Sequence, residues 1–129
     1  MAKAEQLNSI AIIGASKNHE KFGNKCVRAY KKLGWKIFPV NPKEKEIEGL
    51  HCFPSILALP EKPSLVSVYL PPAVTISIIP ELKKSGVKEA ILNPGAESKE
   101  LIEALKAAGI NAVLVCSIRL QGLKPEDFP

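Results

Sequence analysis

Small and basic residues follow the first apolar run of the sequence, where they could hold a phosphate. Gly14, Ala15 and Ser16 come directly after that run. Lys21 and Gly23 end the same segment before a helical pattern begins. Small residues let a backbone approach a ligand closely, and the free amides at a helix N-terminus attract anions. Because the GxGxxG dinucleotide fingerprint is absent, a tight turn with a purely structural glycine remains the alternative.

The second apolar run ends in Val40-Asn41-Pro42-Lys43. A typical NAD site has an acidic residue at this point, which binds the ribose hydroxyls. A lysine there can instead pair with a phosphate on the adenosine ribose, and NADP and coenzyme A both carry such a phosphate. The alternative is a surface lysine in a turn, since Asn-Pro commonly starts one.

Two further runs end in residues that could shape a ligand site. Leu70 is followed by Pro71 and Pro72, which form a rigid apolar wall suited to an adenine or a pantetheine arm. The same prolines also suit a plain strand-to-helix connection. The segment 93–96, Asn-Pro-Gly-Ala, is a second small-residue loop.

Cys116 ends the fifth apolar run and is the one residue there that could act as a nucleophile. Catalysis would need a base nearby, and neither His19 nor His51 falls on a strand end. A small buried hydrophobe is the usual role of a free cysteine, and a mixed disulfide with a thiol ligand is the alternative. The sequence therefore predicts no catalytic residue, and the histidine spacing predicts no metal site.

The elements that must position these residues alternate between strands and helices. We predict strands at residues 9–13, 36–40, 65–70, 89–92 and 112–116. Helices are predicted at 24–33, at 73–85 with a kink or a late start at Pro80, and after an N-cap at Ser98. This pattern predicts an α/β, Rossmann-like, doubly wound parallel sheet of five strands with helices on both faces, in the order 3-2-1-4-5. Ligands bind such sheets at the carboxyl ends of the strands, where the strand order reverses.

The composition indicates one domain spanning residues 1–129, with 46% hydrophobic residues and a net charge of +5. The basic balance favours an anionic partner. Few aromatic residues accompany the lysines, so we expect no nucleic-acid binding. We expect no membrane binding either, because no apolar run is long enough to span one and no signal peptide is visible. Three scattered cysteines fit a reducing, cytoplasmic compartment.

Four segments together resemble the stand-alone coenzyme A-binding protein family. They are GASKNHEKFG after the first strand, PVNPKEKEIEG after the second, LPP after the third and NPGAESKE after the fourth. That family is similar to the N-terminal nucleotide-binding domain of the succinyl-CoA synthetase α subunit. The resemblance covers the chain from about Ile10 to Cys116.

The resemblance implies a site for coenzyme A as the cofactor. The first loop would cradle the phosphates, Asn41 to Lys43 would hold the adenosine end with Lys43 near the 3′-phosphate, and the later loops would line and cover the ligand. The site residues predicted in this way are Gly14, Ala15, Ser16, Lys21, Phe22, Gly23, Val40, Asn41, Pro42, Lys43, Leu70, Pro71, Pro72, Val74, Gly95 and Ala96.

The implied function is binding of coenzyme A or a short acyl-CoA without catalysis by this chain alone. The resemblance does not extend to the synthetase's second domain, with its phosphorylated histidine, and the synthetase's glycine-rich first loop is replaced by a longer lysine-bearing one. One alternative is a subunit that presents coenzyme A to an ATP-grasp-type partner in an acyl-CoA synthetase-type enzyme, and a homo-oligomer is also open. A weaker alternative is an NADP-binding oxidoreductase domain.

Overall fold

The structure is a computed structural model that describes residues 8–129. Five parallel strands form the main sheet and two short strands form a separate hairpin. In chain order the strands are β1 (Ser9–Ile13), β2 (Lys36–Val40), β3 (Glu46–Ile47), β4 (Leu50–His51), β5 (Leu65–Val68), β6 (Glu89–Leu92) and β7 (Asn111–Val113). The hairpin consists of β3 and β4.

The main sheet has the order β2-β1-β5-β6-β7, and all of its strand pairs are parallel. The predicted α/β fold class is confirmed. The position of the third sheet strand differs from the expected 3-2-1 arrangement, because β5 pairs with β1 and not with β2. Pro39 in β2 explains the difference: it has no N–H, so it favours an edge strand. The strand order therefore reverses between β1 and β5.

Within residues 8–129, five α-helices cover the two faces of the sheet. They are α1 (Phe22–Lys32), α2 (Pro72–Ser77), α3 (Ile79–Ser85), α4 (Lys99–Ala107) and α5 (Ser117–Leu120). Alternate residues of β1 point to opposite faces, as the two-residue period of a strand requires. Ile10 and Ile12 pack with residues of α1 and α5, whereas Ala11 and Ile13 pack with residues of α3 and α4.

Most predicted element boundaries agree with the structure, and the differences have local causes. The predicted helix 73–85 is two helices, α2 and α3, with Pro80 in the first turn of α3. The Ser98 hydroxyl accepts the Leu101 N–H at 3.0 Å and so caps α4 as predicted. β5 and β7 end earlier than predicted, at Val68 and Val113. Cys116 therefore lies beyond β7 and directly precedes α5.

The last residues of the chain contribute to the core. Ile118 of α5 is completely buried and Phe128 is 9% exposed, and both join the core beside α1. Within residues 8–129, no helix combines the length and the apolar character needed to cross a membrane.

Candidate functional site

A cavity of about 630 Å³ lies where the strand order reverses, at the carboxyl ends of β1 and β5. We call it the rim cavity. Residues from the loops that follow β1, β2, β5 and β6 line it: Gly14, Ala15, Ser16, Lys21, Phe22, Gly23, Asn41, Tyr69, Leu70, Pro71, Pro72, Pro94, Gly95 and Ala96. The fold therefore brings together twelve of the sixteen residues that the sequence singled out, and it adds Tyr69 and Pro94.

The other four predicted residues lie outside the walls of the rim cavity. The Val40 side chain is 5% exposed and packs in the core, although its carbonyl accepts the Gly14 N–H at 3.1 Å. Pro42 and Lys43 are exposed and follow Asn41 at the end of β2. Val74 is exposed on α2.

Two glycines bring the ends of the first loop close together. Gly14 has a φ of +94°, and a Cβ there would lie 2.9 Å from the Tyr69 carbonyl group. A Cβ on Gly23 would overlap the Gly14 carbonyl oxygen. The spacing of Gly14 and Gly23 in the sequence therefore reflects a contact between the end of β1 and the start of α1, which only glycines permit.

Asn41 connects the loop after β2 to the loop after β1. Its side-chain amide donates to the Ala15 carbonyl at 2.9 Å, and its side-chain oxygen accepts the Lys43 N–H at 2.8 Å. Its own backbone N–H donates to the Phe53 carbonyl at 2.9 Å. These contacts hold the cavity wall in place, and they fix the backbone from which the Lys43 side chain extends.

The N-terminus of α1 gives the cavity a positive end. The N–H groups of Phe22 and Gly23 donate to no group of the described chain, and the first turn of α1 has no acidic residue. Lys21 adds an ammonium group beside them. The Ser16 hydroxyl accepts the Asn18 N–H at 3.0 Å, which leaves its proton available to a ligand. Such an arrangement favours an anion with several oxygens.

Asn24 supports the first loop from behind, and the sequence analysis did not identify it. It is fully buried, and its amide donates to the Ser16 carbonyl at 2.8 Å and to Glu48 Oε2 at 3.1 Å. Its oxygen accepts the Arg28 Nε–H at 2.7 Å, and Arg28 also donates to the His19 carbonyl at 2.9 Å. In the sequence, the feature that could have identified Asn24 is its place next to the apolar positions of an amphipathic helix.

Asn93 holds the loop after β6 in a similar way. It is 1% exposed, and its amide donates to Ser67 Oγ at 2.8 Å and to the Val68 carbonyl at 2.9 Å. Its oxygen accepts the Ser117 N–H at 2.7 Å. Buried polar groups are stable only when they are hydrogen-bonded, so this residue ties β5 and β6 to the start of α5.

A second cavity, of about 400 Å³, adjoins the rim cavity, and we call it the side chamber. The two cavities share Phe22, Tyr69 and Pro94. The remaining walls of the side chamber come from α1, the end of β6 and the C-terminal segment: Lys25, Asn93, Cys116, Arg119, Pro125 and Glu126.

The buried thiols and phenols near these cavities stay protonated at neutral pH. Burial raises the pKa of Cys26 to about 12 and raises the pKa of Tyr69 well above its ordinary value. Burial also raises the pKa of Cys52. The His19 Nε2 lies 2.8 Å from Glu48 Oε2 and the His51 ring meets the Phe53 ring edge-to-face, and neither histidine lines the rim cavity or the side chamber. The charged and polar groups that line the rim cavity, the free amides of α1 and Lys21, suit binding of an anion.

A comparison with protein-family models identifies the family. Residues 8–120 match the model of the CoA binding domain. The chain belongs to this family.

The CoA binding domain has relatives among acetate–CoA ligases [ADP-forming]. It is 38% identical over 84 residues to the enzyme of Methanocaldococcus jannaschii, a match that covers 65% of this chain and 12% of the relative. It is 29% identical over 114 residues to enzyme I of Archaeoglobus fulgidus, which covers 81% of this chain and 17% of the relative. The chain thus spans less than a fifth of the length of these two relatives.

Solved structures show the same fold. A conserved hypothetical protein from Pyrococcus furiosus is 33% identical, with a TM-score of 0.80 over 88% of this chain and 99% of that one. A dinucleotide-forming acetyl-coenzyme A synthetase 1 from Ca. Korarchaeum cryptofilum, in complex with phosphate and ADP, is 28% identical. Its TM-score is 0.72, over 84% of this CoA binding domain and 25% of the synthetase chain.

Proposed function

We propose that this CoA binding domain holds coenzyme A or a short acyl-CoA in the rim cavity, without catalysis by this chain alone. The observation that carries the proposal is the convergence of loops from four strands on the point where the sheet order reverses. Open α/β sheets bind their ligands at such points. The family membership supports coenzyme A as the ligand.

In this proposal each part of the ligand has its own segment of the cavity. The diphosphate lies against the small residues 14–16 and the free amides of α1, where positive partial charge is concentrated. The adenosine lies toward β2, with its 3′-phosphate within reach of Lys43. Pro71 and Pro72 form the apolar wall for the pantetheine arm.

The test is calorimetric titration of ligand-free protein with coenzyme A and with 3′-dephospho-coenzyme A. We expect the loss of the phosphate to weaken binding by about 1–3 kcal/mol, which is typical of a charge-assisted contact. Lys43→Ala should weaken coenzyme A by a similar amount and bind the two ligands about equally. NADP should give no binding heat.

Lys45→Ala is the matched control, because Lys45 is also exposed and lies two residues further along the same loop. It should keep the preference for coenzyme A. If Lys43→Ala also keeps that preference, Lys43 does not contact the 3′-phosphate. If coenzyme A does not bind to the wild-type protein, the proposed function is wrong.

A second candidate is a subunit that presents coenzyme A to a catalytic partner of the ATP-grasp type. The acetate–CoA ligases among the relatives favour it, since this chain matches only a part of each. Acetyl-CoA, ADP and phosphate supplied to the purified chain should then yield no ATP, because the described residues provide no nucleophile–base pair in either cavity. ATP formation by the chain alone would show that it is itself an enzyme.

A further inference from the structure

We infer that the side chamber receives the acyl end of a coenzyme A thioester and prefers a short acyl chain that ends in a carboxylate. The inference rests on the proposed function, because it assumes that the nucleotide part of the ligand occupies the rim cavity. It adds a substrate class and assigns a role to a cavity that nucleotide binding does not need.

The order of the strands gives the direction of the ligand. The predicted 3′-phosphate contact, Lys43, follows β2 at one edge of the sheet, and the phosphate-binding loop follows the neighbouring β1. A ligand that continues in the same direction crosses the end of β5 and reaches β6 and β7, where Asn93 and Cys116 line the side chamber. Neighbouring strands lie about 4.8 Å apart, so the carboxyl ends of the five strands together span about 19 Å. The nucleotide would cover one part of this distance and an extended pantetheine arm the rest.

The walls of the side chamber suit a short carbon chain. It adjoins the rim cavity at Phe22, Tyr69 and Pro94, which line both. Pro125 adds a further apolar wall. Apolar walls with a few placed polar groups are typical of pockets that bind small molecules.

The charges of the side chamber favour a carboxylate at the end of that chain. Arg119 is paired with Glu126 at 3.2 Å, so these two charges offset each other. Lys25 has no carboxylate within ion-pair distance in the part of the chain that the structure describes, and its Nζ lies 5.7 Å from the centroid of the Phe22 ring. A carboxylate that enters the chamber would supply the missing partner.

The first experiment tests the direction of the ligand through alkylation of Cys116 by iodoacetamide. Cys116 is partly exposed, whereas Cys26 and Cys52 are buried. S-propyl-coenzyme A, which has no free thiol, should slow labelling of Cys116 at least five-fold at saturation. Adenosine 3′-phosphate 5′-diphosphate, which lacks the pantetheine arm, should leave the rate unchanged within two-fold. Equal protection by both ligands, or by neither, would overturn the inference.

The second experiment tests the carboxylate preference with glutaryl-CoA and valeryl-CoA, whose acyl chains each have five carbons. Calorimetry on the wild-type protein should give a dissociation constant at least three-fold lower for glutaryl-CoA. Lys25→Met should remove this preference and leave the affinity for valeryl-CoA unchanged within two-fold. Lys32→Met is the matched control, since Lys32 lies on the same helix near another aromatic ring, Phe128, and does not line the chamber.

The outcomes separate the two proposals. If coenzyme A and all its thioesters fail to bind, the proposed function itself is wrong. If they bind but the wild-type protein does not distinguish glutaryl-CoA from valeryl-CoA, only the inference about the side chamber is wrong. If Lys25→Met weakens coenzyme A and both thioesters by the same factor, Lys25 contacts the phosphates and the inference is also wrong.

Discussion

Gly23 has no room for a side chain, because a Cβ there would overlap the carbonyl oxygen of Gly14. We predict that Gly23→Ala lowers the free energy of unfolding by about 1–3 kcal/mol, the usual cost of overpacking. The loop would have to move away from α1, so coenzyme A affinity should fall as well. Urea denaturation and calorimetry measure the two effects.

Lys32→Ala is the control for Gly23→Ala, since Lys32 is exposed on the same helix. It should change stability by less than about 0.5 kcal/mol, as surface substitutions usually do. If Gly23→Ala binds coenzyme A as tightly as the control does, the close approach of the two glycines does not matter for binding.

Among individual residues, the sequence could predict those whose position follows from the end of a strand. Ser16 and Asn41 could be assigned because a short apolar run fixes where each strand ends. Asn24 and Tyr69 could not, since their roles depend on contacts with segments far away in the sequence. Val40 also lies at a strand end, but its side chain points into the core.

The position of β2 shows what the sequence could reveal about whole elements. Its five residues were predicted to the residue, and Pro39 is the fourth of them. β2 has only an isolated bridge, between Val40 and Phe53, on its outer side. The order 3-2-1 would have required a full ladder there, which Pro39 cannot complete. The order β2-β1-β5 could therefore have been predicted from the sequence. The two-residue strands of the hairpin could not, because they are too short to show a pattern.

The hairpin of β3 and β4 is attached to the first loop through Glu48, which has a φ of +52°. The hydrogen bond from Asn24 does most to lower the pKa of the Glu48 carboxyl; burial opposes this effect, and the charges of His19 and Arg28 add to it. A carboxyl whose pKa is lower in the folded state stabilises the fold above its unfolded pKa. That stability is lost as the pH falls through the folded-state pKa.

We therefore predict that the stability difference between the wild-type protein and Glu48→Gln is greatest above pH 4.5, the ordinary value for this carboxyl. The difference should shrink as the pH is lowered further, which urea denaturation over a pH series can measure. Glu46→Gln is the control, because Glu46 is exposed in the same hairpin and forms no ion pair within residues 8–129. A pH-independent difference for Glu48→Gln would show that its charge does not stabilise the loop.

The whole chain carries a net charge of +5, and part of that charge lies near the rim cavity, where the proposed ligand would bind. Lys17 is paired with Glu44 at 3.3 Å, whereas Lys21 and Lys43 have no ion pair within the described chain. Lys106 lies near the C-terminal end of α4, and this helix runs back from the carboxyl edge of the sheet toward its amino edge. The fold thus places unpaired lysines near the rim cavity and others far from it.

Salt should therefore weaken coenzyme A binding, because the screening length falls from about 10 Å at 0.1 M ionic strength to about 3 Å at 1 M. We predict that the dissociation constant rises more steeply with KCl for coenzyme A than for 3′-dephospho-coenzyme A, which carries less negative charge. Lys21→Ala and Lys43→Ala should each reduce the slope for coenzyme A, and Lys106→Ala should not. Equal slopes for all three variants would mean that the general charge of the domain, and not the lysines placed at the rim, attracts the ligand.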